Sequence, residues 1–363
     1  MNRRFLAGAG LLLLLARVAA AQSDTARRGD STRTRADTAP PSIHVGGLLQ
    51  VWYLSGHTLA SAHDSYRIRR ADLKFSGSVS PRVEWRLSVD AAKVLNLTGT
   101  GGSPADSTLG RDLAIDQRGR MLQEATIAVR LGEAQALVGQ QLIPLSLEGV
   151  IPSARIETIE RAMFIAERTR GAGLGDIRDI GAVVRGTAAG LVEYQGGLFN
   201  EMGASQNSTD QNDQKALIGR LSLRVPGISE LRVGGSGGFE GGAAPGQRRE
   251  RAGGEVQFAR PWLTLRSEVM DARDGLVRRL GYYALAAVSV RPEVQLVARW
   301  DNWDPDLHHE SGTADAFERQ LVAGVSYFPD ASTRVAMNVV RSTFPRAPVP
   351  AGTLLLLALQ VVW

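Results

Sequence analysis

The chain contains no cysteine, which excludes a disulfide framework and thiol chemistry. Lysine is confined to Lys74, Lys93 and Lys215, so the basic character resides almost wholly in arginine. Beyond the N-terminal region, charges interrupt every apolar run except the last, Gly352 to Trp363, and that run is too short for a transmembrane helix. No H-E-x-x-H and no phosphate-cradling loop is present, and no nucleophile–base–acid set stands out. The chain therefore reads as a non-enzyme, and no cofactor is implied.

The N-terminus has the form of an export signal. Arg3 and Arg4 precede the apolar stretch Ala7 to Leu15, and Ala19-Ala20-Ala21 offers a small-residue cleavage site, so residues 1–21 are expected to be a signal peptide. Its removal takes away Arg3, Arg4 and Arg17 and lowers the formal net charge from +5 to +2. That near-neutral balance removes the support for a nucleic-acid partner. Residues 22–42 are rich in Ser, Thr, Asp, Arg and Pro and lack large apolar side chains, the composition of a disordered periplasmic lead.

From Ile43 onward, residues of period two recur. Val83, Trp85, Leu87 and Val89 oppose Arg82, Glu84, Arg86, Ser88 and Asp90. Leu263, Leu265 and Val269 oppose Thr264, Arg266 and Glu268, and Val335, Met337 and Val339 oppose Arg334 and Asn338. One such strand fits a soluble sandwich equally well; the connections discriminate. Long ones, such as Leu95–Gly119, Leu142–Gly175, Asp271–Val277 and Asn302–Phe317, alternate with tight links at Ser80-Pro81, Gly132-Glu133, Thr187-Ala188, Pro226-Gly227, Arg260-Pro261, Arg291-Pro292 and Pro329-Asp330. Long loops at one end and short turns at the other are the pattern of an up-and-down barrel, here with about 16 strands. Residues 43–363 are thus expected to form an all-β, transmembrane, antiparallel β-barrel. The final stretch supports this: Leu355, Leu357, Leu359, Val361 and Trp363 share one face. A closing strand can present such a face to lipid, whereas a soluble protein would aggregate through it.

The segment Val138-Gly139-Gln140-Gln141-Leu142-Ile143-Pro144-Leu145-Ser146-Leu147-Glu148 resembles a signature of the phosphate-selective porin O and P family. Arg67-Ile68-Arg69-Arg70-Ala71-Asp72-Leu73, Gly197-Leu198-Phe199-Asn200, Gly219-Arg220-Leu221 and Arg299-Trp300-Asp301 are similar to further parts of that family, in the same order. The resemblance implies a bacterial outer-membrane porin, a homotrimer, whose long third loop (Leu142–Gly175) folds into the lumen and narrows it. It implies small anions such as phosphate or polyphosphate as solutes; outer-membrane lipid, expected from the apolar outer face, and the assembly machinery, expected from the aromatic Trp363 on the last strand, are the other partners.

The inferred lumen wall carries Arg86, Arg130, Arg220, Arg224, Arg266, Arg299 and Arg334. These either form a ladder that passes anions along, since guanidinium matches phosphate oxygens, or brace the wall by cross-strand pairing with carboxylates. Net anion attraction is then expected from Arg155, Arg161, Arg168 and Arg170 near the constriction, and from Arg67, Arg69 and Arg70. The acidic run Asp301 to Asp306 and the adjacent His308-His309 read as exposed loop residues, and no metal site is assigned to them. A general porin without anion selectivity, a non-conducting anchoring or adhesion barrel, and a barrel-borne hydrolase remain as alternatives.

Overall fold

The computed structural model describes residues 42–57, 64–94, 120–165, 173–202, 210, 214–241, 248–308 and 317–363. The expected signal peptide, the lead up to residue 41, and Arg168 and Arg170 lie outside these residues. The described strands are β1 (Ser42–His57), β2 (Ser65–Ser80), β3 (Val83–Asp90), β4 (Leu122–Leu131), β5 (Ala134–Leu142), β6 (Arg178–Ala188), β7 (Val192–Phe199) and β8 (Ala216–Arg224). They continue as β9 (Leu231–Glu240), β10 (Arg249–Arg260), β11 (Leu263–Asp274), β12 (Val277–Arg291), β13 (Val294–Asp304), β14 (Glu318–Tyr327), β15 (Thr333–Thr343) and β16 (Gly352–Val362). Each pairs antiparallel with its neighbours in sequence, and β16 returns to β1, so the 16 strands form a closed barrel.

Period-two alternation fixes which side of each strand faces in. In β15, Arg334, Ala336, Asn338, Val340 and Ser342 are buried, while Val335, Met337 and Val339 are exposed. In β16, Leu354, Leu356 and Gln360 face in, and Leu357, Leu359 and Val361 face out. A slip of one residue would exchange these sets, so the apolar outer face also specifies register. Exposed aromatic residues mark both rims: Tyr66 and Phe239 toward one end, and Trp262, Tyr327 and Trp363 toward the other. Such girdles sit at the two membrane–water interfaces of outer-membrane barrels.

Closure brings the chain's last residue against its first strand. Gly47 N–H donates to the Trp363 carbonyl at 3.0 Å. A Cβ on Gly47 would run into the Trp363 ring, so only glycine admits this approach.

Some connections differ from the sequence expectation. The turn expected at Thr187-Ala188 lies at 189–191, where Ala189 (φ 51°) and Gly190 (φ 67°) supply the left-handed backbone. The expected long connection Asp271–Val277 is only the pair Gly275-Leu276, with Gly275 at φ 63°. Likewise Asp301 to Asp304 belong to β13, not to a loop. In both places polar side chains read as loop composition, yet they stand on strands that continue past the apolar band.

Candidate functional site: the barrel interior

In the connection from β5 to β6, residues 143–165 do not stay near their own strands. Ser146, at φ 69°, caps a single helical turn, Leu147–Val150, its Oγ accepting from Gly149 N–H at 2.9 Å. The N–H groups of Leu147 and Glu148 at the start of this turn donate to the Glu268 carboxylate of β11 at 3.1 and 3.2 Å. A 3-10 turn, Ser153–Arg155, follows, and then an irregular run of bends that ends in a turn, Ile165 N–H donating to the Ala162 carbonyl at 3.1 Å.

This run has no strand ladder, so its buried backbone groups need other partners. Inward-facing side chains of the far wall supply them. Arg334 of β15 donates to the Ile156 carbonyl at 2.7 Å. Arg299 of β13 donates to Thr158 Oγ1, to the Glu160 carbonyl and to the Arg161 carbonyl at 3.0, 2.8 and 3.1 Å. Asn338 Oδ1 accepts from Ile159 N–H at 2.7 Å, and Asp301 Oδ2 from Met163 N–H at 2.8 Å. Gln360 donates to the Ala154 carbonyl at 3.1 Å, and Arg266 pairs with Glu157 at 2.7 Å. Apolar contacts reinforce the attachment. Ala162, Met163, Phe164 and Ile165 are buried with Met270, Tyr283, Leu285 and Trp303. Ile159 joins Trp52, Val322, Val340 and Leu354. Gly281 leaves the space that Phe164 fills.

The base of the connection is held by charge. Arg161 is buried, pairs with Asp176 at 3.3 Å and donates to the carbonyls of Glu148 and Ile151. Asp176 also pairs with Arg178 at 3.3 Å. Burial pushes the Asp176 carboxyl up, but Arg161, Arg178, Arg70 and Lys93 outweigh it and hold it well below the usual carboxylate range. Lys93 lies in the 3-10 turn Ala91–Val94. Burial, with Arg178, pushes its ammonium down to about 7, against the pull of Asp90 and Asp176.

Arg67, Arg69 and Arg70 gather beside this base because of a β-bulge. Gln50 pairs with Arg70 and Val51 with Ile68, which leaves Arg69 as the extra residue. Arg67 and Arg70 are buried, and Arg70 donates to Gln50 Oε1 at 3.0 Å. Arg69 reaches Glu160 at 3.2 Å, with its guanidinium 5.4 Å from the centre of the Trp52 ring. Strict alternation would have turned either Arg69 or Arg70 outward.

The arginines expected on the wall thus divide into two groups. Arg266, Arg299 and Arg334 face in but are buried against residues 154–163. On the side of β3 to β10 the inner face is more open. Arg86 is exposed, Arg224 is partly exposed, and Arg130 pairs with Glu84 at 3.1 Å. Arg220 grips Glu255 through Nε (3.1 Å) and Nη2 (2.5 Å). Arg185 of β6 and Arg232 of β9 belong here too, and sequence reasoning missed both. Arg185 donates to Gln135 at 3.0 and 2.6 Å, Gln135 donates to Glu84 at 3.3 Å, and Arg232 pairs with Glu193 at 2.7 Å. Their strands are glycine-rich, which blurs alternation; cross-strand register against Gln135 and Gln257 would have located them. Arg155 is exposed on the 3-10 turn, with no ion pair among the described residues.

Gly234-Gly235-Ser236-Gly237-Gly238 matches the G-x-S-x-G pattern, although no nucleophile set was expected. Ser236 lies mid-strand, its Oγ accepting from Ser146 N–H at 3.1 Å, rather than on the strand-to-helix turn that exposes such a serine. Of the acidic run, Asp301 is buried beside Arg299, and Asp304 pairs with Arg346 at 2.7 Å.

A family model described as "Phosphate-selective porin O and P" matches residues 54–237. No curated protein sequence matches the chain. Solved structures share the fold at low identity. The anion-selective porin from Comamonas acidovorans has a TM-score of 0.61 at 10% identity, over 89% of this chain and 100% of that one. The outer membrane channel DcaP of Acinetobacter baumannii has a TM-score of 0.61 at 9% identity, over 92% and 99%. The trimer form of OmpT, an outer membrane protein of Vibrio cholerae, has 0.57 at 11%, over 89% and 99%.

Proposed function

Because this chain belongs to the phosphate-selective porin O and P family, we propose that it admits small anions, phosphate among them, by passive diffusion. It is a porin of the bacterial outer membrane, and its family and fold are those of channels rather than enzymes.

In this reading, residues 143–165 narrow the pore. The observation that carries it is their attachment to Arg266, Arg299, Asp301, Arg334, Asn338 and Gln360, on strands far from β5 and β6. The passage then runs between the exposed side of this segment, with Arg155, and the wall carrying Arg86, Arg130, Arg185, Arg220 and Arg224. Arg86, Arg155 and Arg224 form no ion pair among the described residues, so their charge is available to a passing anion. Arg161 serves the segment's own fold, and Arg67, Arg69 and Arg70 its base. Transfer needs no covalent step; an anion exchanges part of its hydration for guanidinium contacts weak enough to release it. The structural neighbour from Comamonas acidovorans, itself anion-selective, fits this reading. A homotrimer is proposed with it, as for the OmpT trimer form, together with residues 1–21 as an export signal and the aromatic Trp363 beside β1 as a contact of the assembly machinery.

A general porin is the second reading, favoured by the pairs Arg130–Glu84, Arg220–Glu255 and Arg232–Glu193, which cancel charge along the wall. Single-channel current in a planar bilayer under a salt gradient separates the two. Anion-selective reversal with partial block by phosphate supports the first. Conductance without selectivity supports the second, and a folded barrel that passes no current refutes both.

A further inference from the structure

The outer wall of the barrel is not uniformly convex. Ala284 and Ala286 of β12 and Ala298 of β13 face out side by side: Ala284 stands opposite Trp300, and Ala286 opposite Ala298. Larger residues flank them, Leu265 on one side and Trp300 and Leu321 on the other. The result is an apolar groove of about 580 Å³ across β10 to β14. At its upper edge Tyr282 meets Trp300 edge-on, with ring centres 5.6 Å apart.

The same strands carry guanidinium groups beyond the groove. Arg273 of β11 and Arg278 of β12 are direct cross-strand partners, both exposed on the outer face. Like charges directly opposite one another destabilise a sheet unless something neutralises them. Asp271 pairs with Arg278 at 2.5 Å, and Glu250 pairs with Arg248, whose guanidinium lies 5.0 Å from the Phe239 ring. Arg273 forms no ion pair among the described residues; its Nε donates to the Gly275 carbonyl at 2.9 Å. Arg248, Arg273 and Arg278 against Glu250 and Asp271 leave one positive charge in excess on this rim.

We propose that this groove and rim form a lipid site for a phosphorylated, multiply acylated glycolipid of the outer leaflet. An acyl chain lies over Ala284, Ala286 and Ala298, and a phosphate bridges Arg273 and Arg278. The proposal deepens the outer-membrane reading and rests on it. The spacing fits. Six residues of β12 separate Ala284 from Arg278, about 20 Å of strand at roughly 3.3 Å per residue. At a strand tilt of about 40° this is about 15 Å of height, close to half of an apolar band roughly 25 Å tall. The rim lies at the end with the long connections, which faces outward in such barrels. Its ion pairs are exposed and therefore weak, so a phosphate offering paired oxygens can displace the carboxylate from Arg278.

Native mass spectrometry of the detergent-folded protein tests the site. Bisphosphorylated lipid A is the probe, with its dephosphorylated form and phosphatidylethanolamine as comparisons. Expected is retention of the bisphosphorylated lipid by wild type. Arg273→Ala with Arg278→Ala weakens it about thirtyfold, from two arginines at an anionic lipid surface. Ala286→Phe, which fills the groove from the lipid side, also weakens it, whereas Leu357→Phe on β16 does not. Equal retention by all variants, equal binding of the dephosphorylated lipid or of phosphatidylethanolamine, or a groove occupied by a second copy of the chain would each overturn the proposal. Bilayer current is recorded on the same preparations. Loss of lipid with unchanged current separates failure of this site from failure of the channel reading.

Discussion

Replacing Arg299 by Met tests how the inner segment is held. Arg299 is 2% exposed, and its guanidinium serves Thr158 Oγ1, the Glu160 carbonyl and the Arg161 carbonyl while lying 3.4 Å from Asp301. Met keeps much of the volume but supplies no donor. The Glu160 and Arg161 carbonyls and the Asp301 carboxylate then each lose a charged donor in a buried setting, although Thr158 Oγ1 still serves the Glu160 carbonyl and Met163 N–H still serves Asp301. Removing one member of a buried, hydrogen-bonded charge pair costs about 3–5 kcal/mol. The ladders of β13 with β12 and β14 are untouched, so this loss falls on the docked segment rather than on the barrel. The ratio of undocked to docked segment should rise by roughly two to more than three orders of magnitude, at about 1.4 kcal/mol per tenfold. Hydrogen exchange followed by mass spectrometry reads this at the amides of Ile159 and Met163, which donate to Asn338 and Asp301. Both should exchange faster, single-channel current should flicker, and the heat-resistant mobility of the barrel in SDS gels should persist. Unchanged exchange at both amides together with a quiet, wild-type current would refute the reasoning.

Further expectations concern other points of the same construction. Gly281→Ala places a Cβ against the Phe164 side chain and should loosen residues 162–165 without opening the barrel; protection of those amides at the wild-type level would count against it. Arg155→Glu should move the reversal potential toward cations with no change in thermal stability, because Arg155 is exposed and holds no ion pair among the described residues; an unmoved reversal potential would remove it from the ion path. For Lys93 the sign is definite. The fold holds its proton only to about pH 7, whereas the unfolded chain keeps it to about pH 10, so the unfolded state binds more protons in between. Stability should therefore rise with pH across that window, and Lys93→Met should abolish the rise; equal slopes in detergent melts would contradict it.

The barrel was legible because its outer face must be apolar at every second position, as Val335, Met337 and Val339 show. Strand limits were less so. Asp271 to Asp274 and Asp301 to Asp304 look like loops by composition but continue their strands beyond the apolar band, where water or inner partners satisfy the charges. The interior was harder still. Alternation puts Arg299 and Arg86 on the same side of the wall, yet only the path of residues 154–163 decides that one is covered and the other open. A signal for that path did exist: Ala162-Met163-Phe164-Ile165 is an apolar run inside a long connection, and apolar side chains there require a wall to cover them. The bulge at Arg69 left no such trace, because nothing in Arg67-Ile68-Arg69-Arg70 marks which residue is the extra one.

The seam between the first and last strands has a consequence for the order of events during biogenesis. Gln50 donates to Gln360 at 2.7 Å across that seam, Arg70 donates to Gln50, and Gln360 also donates to the Ala154 carbonyl. β16 thus carries a clasp for a segment that lies 206 residues earlier in the chain. Until β16 is in place, Ala154 lacks its latch. A barrel caught before this seam forms would leave the Ala154 end of the segment loose while Arg334, Arg299 and Asn338 hold the rest, so the eyelet would take its final shape only as the wall is sealed.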